Sequence, residues 1–508
     1  MFKERLLQHY RLSSFICGWI SVLALPPFHI FPTLFLSFPV LLWLITKAPN
    51  KIKAFKTGYY FGFSFFAFGL SWINNALLID ANTFGWLIPI AFLASGLFFG
   101  LFIAIPSWLT KYFKSPISQY LGFSAFMVLS EWIRSFFLTG FPWNLFGTTL
   151  AFNLQLIQTA AIGGTYLLSL AVIMACSAPF FALLNSNRKD IFISLLIPTL
   201  IFSSLYVYGI FHIKQHQLQA SETTIRFVQP AIPQSLKWSQ SYLEDNLYEH
   251  IKMSQLPGAD KIDFIIWSET AFPFSIEYDE YHRQMLSYAL MPQTTLITGG
   301  IRYQPINNEQ HNMYNSMFVI DSANKIVATY DKSHLVPFGE YIPFRQYLPE
   351  WLKPIASQIG SFSSGISKQP VKISSHPSFG GLICYEIIFP HNILNQKNKP
   401  DWIINITNDG WYGISSGPFQ HLVSAQMRAV EEGITIARSA GSGISALISP
   451  LGEIIGKIPL GKRDILDIKL PKPSKIFTYY GLYGNIIPIL LCSVILAIAI
   501  LINIKSTH

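Results

Sequence analysis

Eight apolar runs constrain this chain more than any other feature. They lie at about 12–27, 30–46, 57–78, 84–109, 117–138, 163–184, 190–211 and 479–503. A helix that crosses the hydrocarbon core of a bilayer takes about 20 apolar residues. One such run can be a buried core helix. Eight of them cannot all be buried in a chain of 508 residues of which only 12% are charged, against about a quarter in soluble proteins. The expected fold class is therefore a multi-span α-helical membrane domain of about eight transmembrane helices, joined to whatever the more polar stretch 212–478 builds. The first two runs are short and are split by Leu25-Pro26-Pro27-Phe28, a turn signal, so they read as a tilted hairpin or a re-entrant pair. No small-residue cleavage site follows the first run and further spans do, so it reads as a span and not as a secretory signal.

The formal net charge of +9 invites a search for an anionic partner. Residues 1–210 hold twelve Lys and Arg against four acids, a net of +8. The remaining 298 residues hold 24 basic and 23 acidic groups. A nucleic-acid binder carries its basic stripe on a polar domain, so nucleic acid is excluded as a partner. The basic clusters lie in short loops instead. Lys3/Arg5/Arg11, Lys47–Lys56, Lys111/Lys114, Arg188/Lys189 and Lys505 all fall on one side of the membrane when the spans alternate. The loops at about 27–30, 79–83 and 139–162 hold no Lys or Arg. Basic loops stay cytoplasmic. The expected topology has the N-terminus inside, a membrane domain of seven helices over 1–211, an outer domain over 212–478 and a last helix in 479–508. No internal repeat of the two-halved transporter kind is visible.

Glu131-Trp132-Ile133-Arg134 places two charges near the outer end of the fifth run. Charges at such depth are paired or functional. Spaced i, i+3, Glu131 and Arg134 suit either an ion pair that locks the bundle or a contact with a lipid headgroup. The aromatic segment Thr139-Gly140-Phe141-Pro142-Trp143-Asn144 suits either an interfacial anchor or the rim of a lipid path.

Residues 223–470 mix short β-like runs with helical stretches, which implies an α/β or α+β sandwich. Strands are expected over 224–229, 264–267, 295–302, 313–320, 326–331, 381–384, 402–407, 434–439 and 445–448, with helices over 235–256, 277–290 and 417–432. Of four cysteines, Cys17, Cys176 and Cys492 lie in apolar runs and read as packing. Cys384 is the only one in the outer domain, where it has no disulfide partner. It suits a nucleophile or an inert buried thiol equally well. Glu269, in Ile266-Trp267-Ser268-Glu269-Thr270, follows an apolar strand. Lys332 and Glu340 share a turn-rich loop, and Asn408-Asp409-Gly410-Trp411-Tyr412 follows another strand. A glutamate can take a thiol proton, and a lysine can stabilise thiolate and oxyanion. A Cys–His arrangement through His334, His376 or His421 is the rival. No Cys-x-x-Cys or His-Glu-x-x-His spacing occurs, so no metal site is expected.

These segments resemble the carbon–nitrogen hydrolase (nitrilase) superfamily, whose members use a Glu–Lys–Cys triad. The whole chain resembles its membrane branch, the bacterial apolipoprotein N-acyltransferases. The resemblance rests on Glu131-Trp132-Ile133-Arg134 with Phe141-Pro142-Trp143, Pro233-Gln234-Ser235-Leu236-Lys237-Trp238, Trp267-Ser268-Glu269-Thr270, His334-Leu335-Val336-Pro337-Phe338-Gly339-Glu340, and Ile383-Cys384-Tyr385-Glu386. It implies a nitrilase-like αββα sandwich. It implies Glu269 as general base, Lys332 as stabiliser of the tetrahedral intermediate and Cys384 as nucleophile. Cys384 would take an acyl chain from a phospholipid, phosphatidylethanolamine as the usual donor. The thioester would pass that chain to the α-amine of an N-terminal diacylglyceryl cysteine on an apolipoprotein, the last step of lipoprotein maturation. No cofactor is implied, and a monomer in the bacterial inner membrane with a periplasmic catalytic domain is. Glu340 reads as an additional glutamate beside the triad, Tyr385 as a contributor to the oxyanion hole, and Glu386 as a residue orienting Lys332. Trp238 and Trp411 read as aromatics on the acyl and lipid path, and Asn315 as a support residue. Ser361-Phe362-Ser363-Ser364-Gly365 reads as a lid, and Gln229-Pro230 departs from an expected Gln-Gly. Two other readings remain: a membrane-tethered amidase with the same triad, and a non-catalytic transporter or lipid-binding protein.

Overall fold

The computed structural model describes residues 2–185, 187–306, 311–343, 362–366, 369–391, 393–473 and 476–506. Ser361 of the expected lid lies outside them. The chain forms two compact units, one of Met1–Gln217, Ser415–Gly433 and Phe477–His508, the other of Leu218–Ile414 and Ile434–Ile476.

The first unit is helical. Among the described residues four helices are long and apolar enough to cross a membrane: Ala81–Thr110, Ala160–Leu184, Arg188–Gln215 and Ile486–Lys505. Lys51–Gly69 and Ser71–Leu78 count as a fifth if their 43° bend lies within one span, and Tyr10–Ala24 and Thr33–Lys47 are shorter. The expected count of about eight is thus not reached on length and composition. The 15 residues of Thr33–Lys47 reach only about 22 Å of a hydrocarbon core of about 30 Å. The helix Pro116–Arg134 buries Ser118, Gln119, Ser124, Ser130 and Glu131, which dilutes its apolar character.

Helix Ala160–Ser177 is broken at Gly163–Gly164, where Gly164 has φ +66°. A Cβ there would meet the Tyr480 ring at 2.3 Å, so the position requires glycine twice over. The break frees the Thr165 N–H, which donates to Glu431 Oε1 at 2.7 Å, as does the Thr165 hydroxyl. Arg428 donates to the same oxygen at 2.8 Å. A carboxylate thereby satisfies the donor that the kink exposes.

The second unit is a pair of sheets. β1 (Ala220–Gln229), β2 (Phe264–Ile266), β3 (Thr295–Pro305), β4 (His311–Ile320), β5 (Ile326–Asp331) and β11 (Asp464–Pro471) make a six-stranded sheet in the order β11-β1-β2-β3-β4-β5. β6 (Phe379–Ile383), β7 (Trp402–Thr407), β8 (Thr435–Ala440), β9 (Ser445–Ile448) and β10 (Ile454–Ile458) make a five-stranded sheet in the order β10-β9-β8-β7-β6. In each sheet three consecutive strands run parallel, β1-β2-β3 and β6-β7-β8, and the rest are antiparallel.

The period-2 alternation of strands explains the layers. Ile225, Phe227, Phe264, Ile266, Ile297, Met317 and Val319 face a core shared with Ile383, Trp402, Ile404, Ile406, Ala437 and Leu447 of the second sheet. The intervening Val228, Ile265, Leu296, Phe318 and Ile320 face a second core with Leu247, Ile251 and Leu286 from the helical segments 243–254 and 286–289. Within this unit the layers are helix, sheet, sheet. Helix Gly417–Glu432, the crossover between β7 and β8, groups with the helical unit.

All nine expected strands form, with β6 ending one residue before Cys384. Two more, β10 and β11, occur in segments where the sequence reading assigns no element, although Ile454–Ile458 alternates in burial as an edge strand does. The expected helix over 235–256 is three pieces, Gln234–Lys237, Gln240–Tyr242 and Leu243–Ser254, because Ser239 turns extended at ψ 122°. The expected helix over 277–290 is two, Glu280–Met285 and Leu286–Ala289.

Candidate active site

Strand ends supply the site. β6 stops at Ile383, and Cys384 takes φ +50°, a left-handed conformation that turns its side chain out of the sheet register before a short 3-10 turn over Cys384–Ile388. Such backbone is costly for a residue with a Cβ and is held only where the surroundings fix it. Glu386 does so. Its carboxylate accepts from Ile383 N at 2.8 Å, Ser333 N at 2.8 Å, the Ser333 hydroxyl at 2.6 Å, His334 N at 3.1 Å and the Tyr330 hydroxyl at 2.9 Å. Glu386 was expected to orient Lys332. It acts on the backbone just after Lys332, since its acceptor sites are taken by neutral donors, and it ties the β5 and β6 ends together.

Glu269 lies three residues past β2. Its Oε1 accepts from Asn315 Nδ2 at 2.7 Å and its Oε2 from the Asn408 backbone N–H at 2.7 Å. Asn315 Nδ2 also donates to Glu340 Oε1 at 2.8 Å. Lys332 Nζ donates to Glu340 Oε1 at 2.9 Å and stands 3.7 Å from Glu269 Oε1. Glu340 Oε2 closes its own loop on Val336 N at 2.8 Å. Glu269, Lys332, Glu340 and Asn315 thus form one connected cluster. Only 1% of the Lys332 side chain is exposed. Burial pushes its pKa down, but the Glu340 and Glu269 carboxylates outweigh that and hold it well above the ordinary value.

The Cys384 thiol is buried beside this cluster. Burial and the Glu269 charge push its pKa up to about 12, while Lys332 and a hydrogen bond with Thr407 pull the other way. Its Sγ lies 4.0 Å from the Tyr412 hydroxyl. The arrangement suits proton transfer from a neutral thiol to Glu269 beside a fixed cation, which is nucleophilic rather than metal chemistry. Among the described residues no group of His, Cys, Asp and Glu fits a metal ion.

The Asn408 N–H is aimed by its own turn. Asn408 Oδ1 accepts from Gly410 N at 3.3 Å, and Asp409 is locked by Arg438 at 2.7 Å and the Thr407 hydroxyl at 3.1 Å. Asn408, Tyr412 and Lys237 were not singled out from sequence as site residues. The Asn-Asp-Gly turn after β7 was the available signal for the first. Lys237 donates to the Glu269 backbone carbonyl at 2.8 Å.

The remaining expected residues are placed as follows. The Tyr385 ring is buried, 5.7 Å from the His334 ring and 5.1 Å from the Phe389 ring. Trp238 and Trp411 are 42% and 41% exposed. Glu131 and Arg134 belong to the helical unit. Glu131 accepts from Phe146 N at 2.8 Å, and Arg134 donates to the carbonyls of Phe141 and Trp143 at 2.5 and 2.7 Å. Both are buried and both hold the loop that follows their helix. Of the rival histidines, His376 packs on Phe264, and His421 packs on Trp143 within the helical unit.

Residues 17–178 match the apolipoprotein N-acyltransferase N-terminal domain family, and residues 224–474 match the carbon-nitrogen hydrolase family. An apolipoprotein N-acyltransferase of Rhodopseudomonas palustris is 34% identical over 96% of this chain and 94% of its own. The corresponding protein of Bradyrhizobium diazoefficiens is 34% identical over 92% of this chain and 91% of its own. Among solved structures, a nitrilase-superfamily amidase from Nesterenkonia AN1 aligns with 51% of this chain and 94% of its own at 18% identity, with a TM-score of 0.37. The two family matches fall in order along one chain, and likeness to the relatives runs through both; the chain belongs to the apolipoprotein N-acyltransferase family.

Proposed function

We propose that the chain moves a fatty acyl group from a membrane phospholipid to the N-terminal amine of lipoproteins by way of a thioester on Cys384. That it is an acyltransferase acting on lipoproteins, in a bacterial membrane, follows from the family. The thioester route rests on one observation: Cys384 sits at a strained strand end in the combined field of Glu269 and Lys332.

In the first half-reaction Glu269 takes the thiol proton and the Cys384 sulfur attacks the ester carbonyl of the donor. Lys332 faces the oxyanion that forms. The intermediate collapses, the C–O bond breaks, and the leaving lysophospholipid oxygen takes the proton from Glu269. In the second half-reaction the α-amine of the diacylglyceryl cysteine attacks the thioester, Glu269 takes its proton and returns it to the departing thiolate. Sulfur ends as it began, and one ester has become one amide. Glu340 and Asn315 hold Lys332 and Glu269 apart. Glu386 and Tyr385 hold the walls beside the nucleophile, and Trp238 and Trp411 offer exposed aromatic surface for acyl chains.

Phosphatidylethanolamine as donor, a monomeric state, eight spans, the inner membrane and an outward catalytic domain complete the reading. The basic loops described above support the topology. Glu131 and Arg134 serve to order the aromatic loop after the fifth run. Purified protein mixed with phospholipid vesicles should accumulate a hydroxylamine-labile acyl group on Cys384, and Cys384→Ala should abolish it. Hydrolysis of a small amide with no acyl label would favour an amidase instead.

A further inference from the structure

We propose that Lys237 is a positioning residue for Glu269, the second cation of the site, which holds the Glu269 peptide in place and offsets the negative charge of the Glu269 and Glu340 carboxylates. The proposal deepens the acyl-transfer reading and rests on it for its functional meaning.

The first observation concerns backbone. Thr270, just after Glu269, has φ +49°, a conformation a β-branched residue adopts only under constraint. The turn docks on β3 through Gly299 N to Ser268 O at 3.2 Å and Phe272 N to Gly299 O at 3.0 Å. Neither bond uses the Glu269 carbonyl. That carbonyl accepts from Lys237 Nζ at 2.8 Å and from the Thr270 hydroxyl at 2.8 Å. The amine at the end of helix Gln234–Lys237 is therefore the tertiary contact that fixes the Glu269 peptide.

The second observation is a charge inventory. Glu269 and Glu340 share one ammonium, Lys332, and the Cys384 thiol and Tyr412 phenol both have raised pKa values and stay neutral. One negative charge is left over. Asp409 and Arg438 balance each other. Glu386 is met by neutral donors, the Ser333 N–H and hydroxyl among them, and makes no ion pair among the described residues. Lys237 has no carboxylate within ion-pair distance among the described residues and supplies the missing positive charge. It lines a small pocket with Asn246, His250, Ser268 and Asn408. His250 donates from Nδ1 to the Asn246 carbonyl at 2.7 Å, so its buried Nε2 is a bare acceptor without a partner. Burial holds the His250 pKa down at about 4, so it adds no charge of its own. Burial also lowers the Lys237 pKa to about 8, against the pull of Glu269 and Cys384. The balance survives thiol ionisation, since the charge leaving Glu269 reappears on sulfur.

The test reads Cys384 alkylation by iodoacetamide against pH in the full-length protein, with the modified peptide identified by mass spectrometry. In wild type the acid limb reports the base that takes the thiol proton. Lys237→Met should move that limb up by about one pH unit, so that alkylation slows about tenfold at pH values on the limb and little above it, as expected when a nearby opposite charge is removed. Lys237→Arg should keep the limb in place. A folded Lys237→Met variant with the wild-type limb, or an Arg variant that behaves like Met, overturns the proposal. If Lys237→Met does not fold, Lys237→Gln carries the same expectation and the same refutation. Alkylation needs no acyl donor. Failure of wild type to take a hydroxylamine-labile acyl group would therefore overturn the acyl-transfer reading alone.

Discussion

Lys332 bonds Glu340 at 2.9 Å and stands 3.7 Å from Glu269, so its ammonium is held closer to the carboxylate that takes no proton in the proposed reaction. A lysine bound tightly to its own base would lower that base's proton affinity. Glu340 relieves Glu269 of this burden, and Asn315 spaces the two carboxylates by donating to both. Glu340→Gln should therefore drive Lys332 onto Glu269. The rate of thioester formation on Cys384 should fall by about 10²-fold, within the range of general-base effects. Membrane abundance should stay near wild type. The checking measurement is single-turnover accumulation of hydroxylamine-labile acyl group, and an unchanged rate would remove Glu340 from the site.

The Cys384 thiol, pushed up to about 12, is protonated at neutral pH, so its thiolate appears only as pH rises or as Glu269 draws the proton. In Glu269→Gln, which removes one of the two causes that raise the thiol, alkylation of Cys384 should climb about tenfold per pH unit from neutrality and level off below pH 12, the behaviour of an unassisted thiol. Wild type should react faster at pH 7 and show a shallower slope. Parallel profiles for the two proteins would mean that Glu269 is not the base.

Gly299 is where the Glu269 turn meets β3. A Cβ there would lie 2.4 Å from Thr270 N and 2.7 Å from Glu269 Cα, both backbone atoms that cannot swing aside. Gly299→Ala should destabilise the domain by about 1–3 kcal/mol, the usual cost of overpacking. It should also reduce acylation more than that loss of folded protein explains. Thermal unfolding and acyl label per folded molecule, measured on one preparation, separate the two effects.

Arg438 and Asp409 are both fully buried and paired at 2.7 Å behind the Asn408 turn. Arg438→Met leaves the Asp409 carboxylate buried without its guanidinium partner, and should cost about 3–5 kcal/mol. Adding Asp409→Asn should recover part of that loss, because the buried charge that lost its counter-ion is then gone. Denaturant unfolding of the single and double variants decides the matter.

The sequence by itself determined the helical and α/β halves, the strand that precedes each of Glu269, Lys332 and Cys384, and the family. Apolar runs and alternating strands are local patterns, and burial imposes them on the residues directly. It did not determine how many runs are long and apolar enough to span, because a bend such as the one after Gly69 divides a run without making it polar. Tertiary structure alone decided the bonding within the site. Asn408 reaches Glu269 through a backbone N–H, a group every residue but proline carries and no motif marks. Glu386 acts on the peptide after Lys332 and not on its ammonium, because the left-handed turn at Cys384 aims the carboxylate there. Lys237 lies 32 residues from Glu269, and only the docking of its short helix brings its amine to that carbonyl. Hydrogen bonds and ion pairs act over about 3–4 Å, a distance that chain separation does not report and only the packed fold sets.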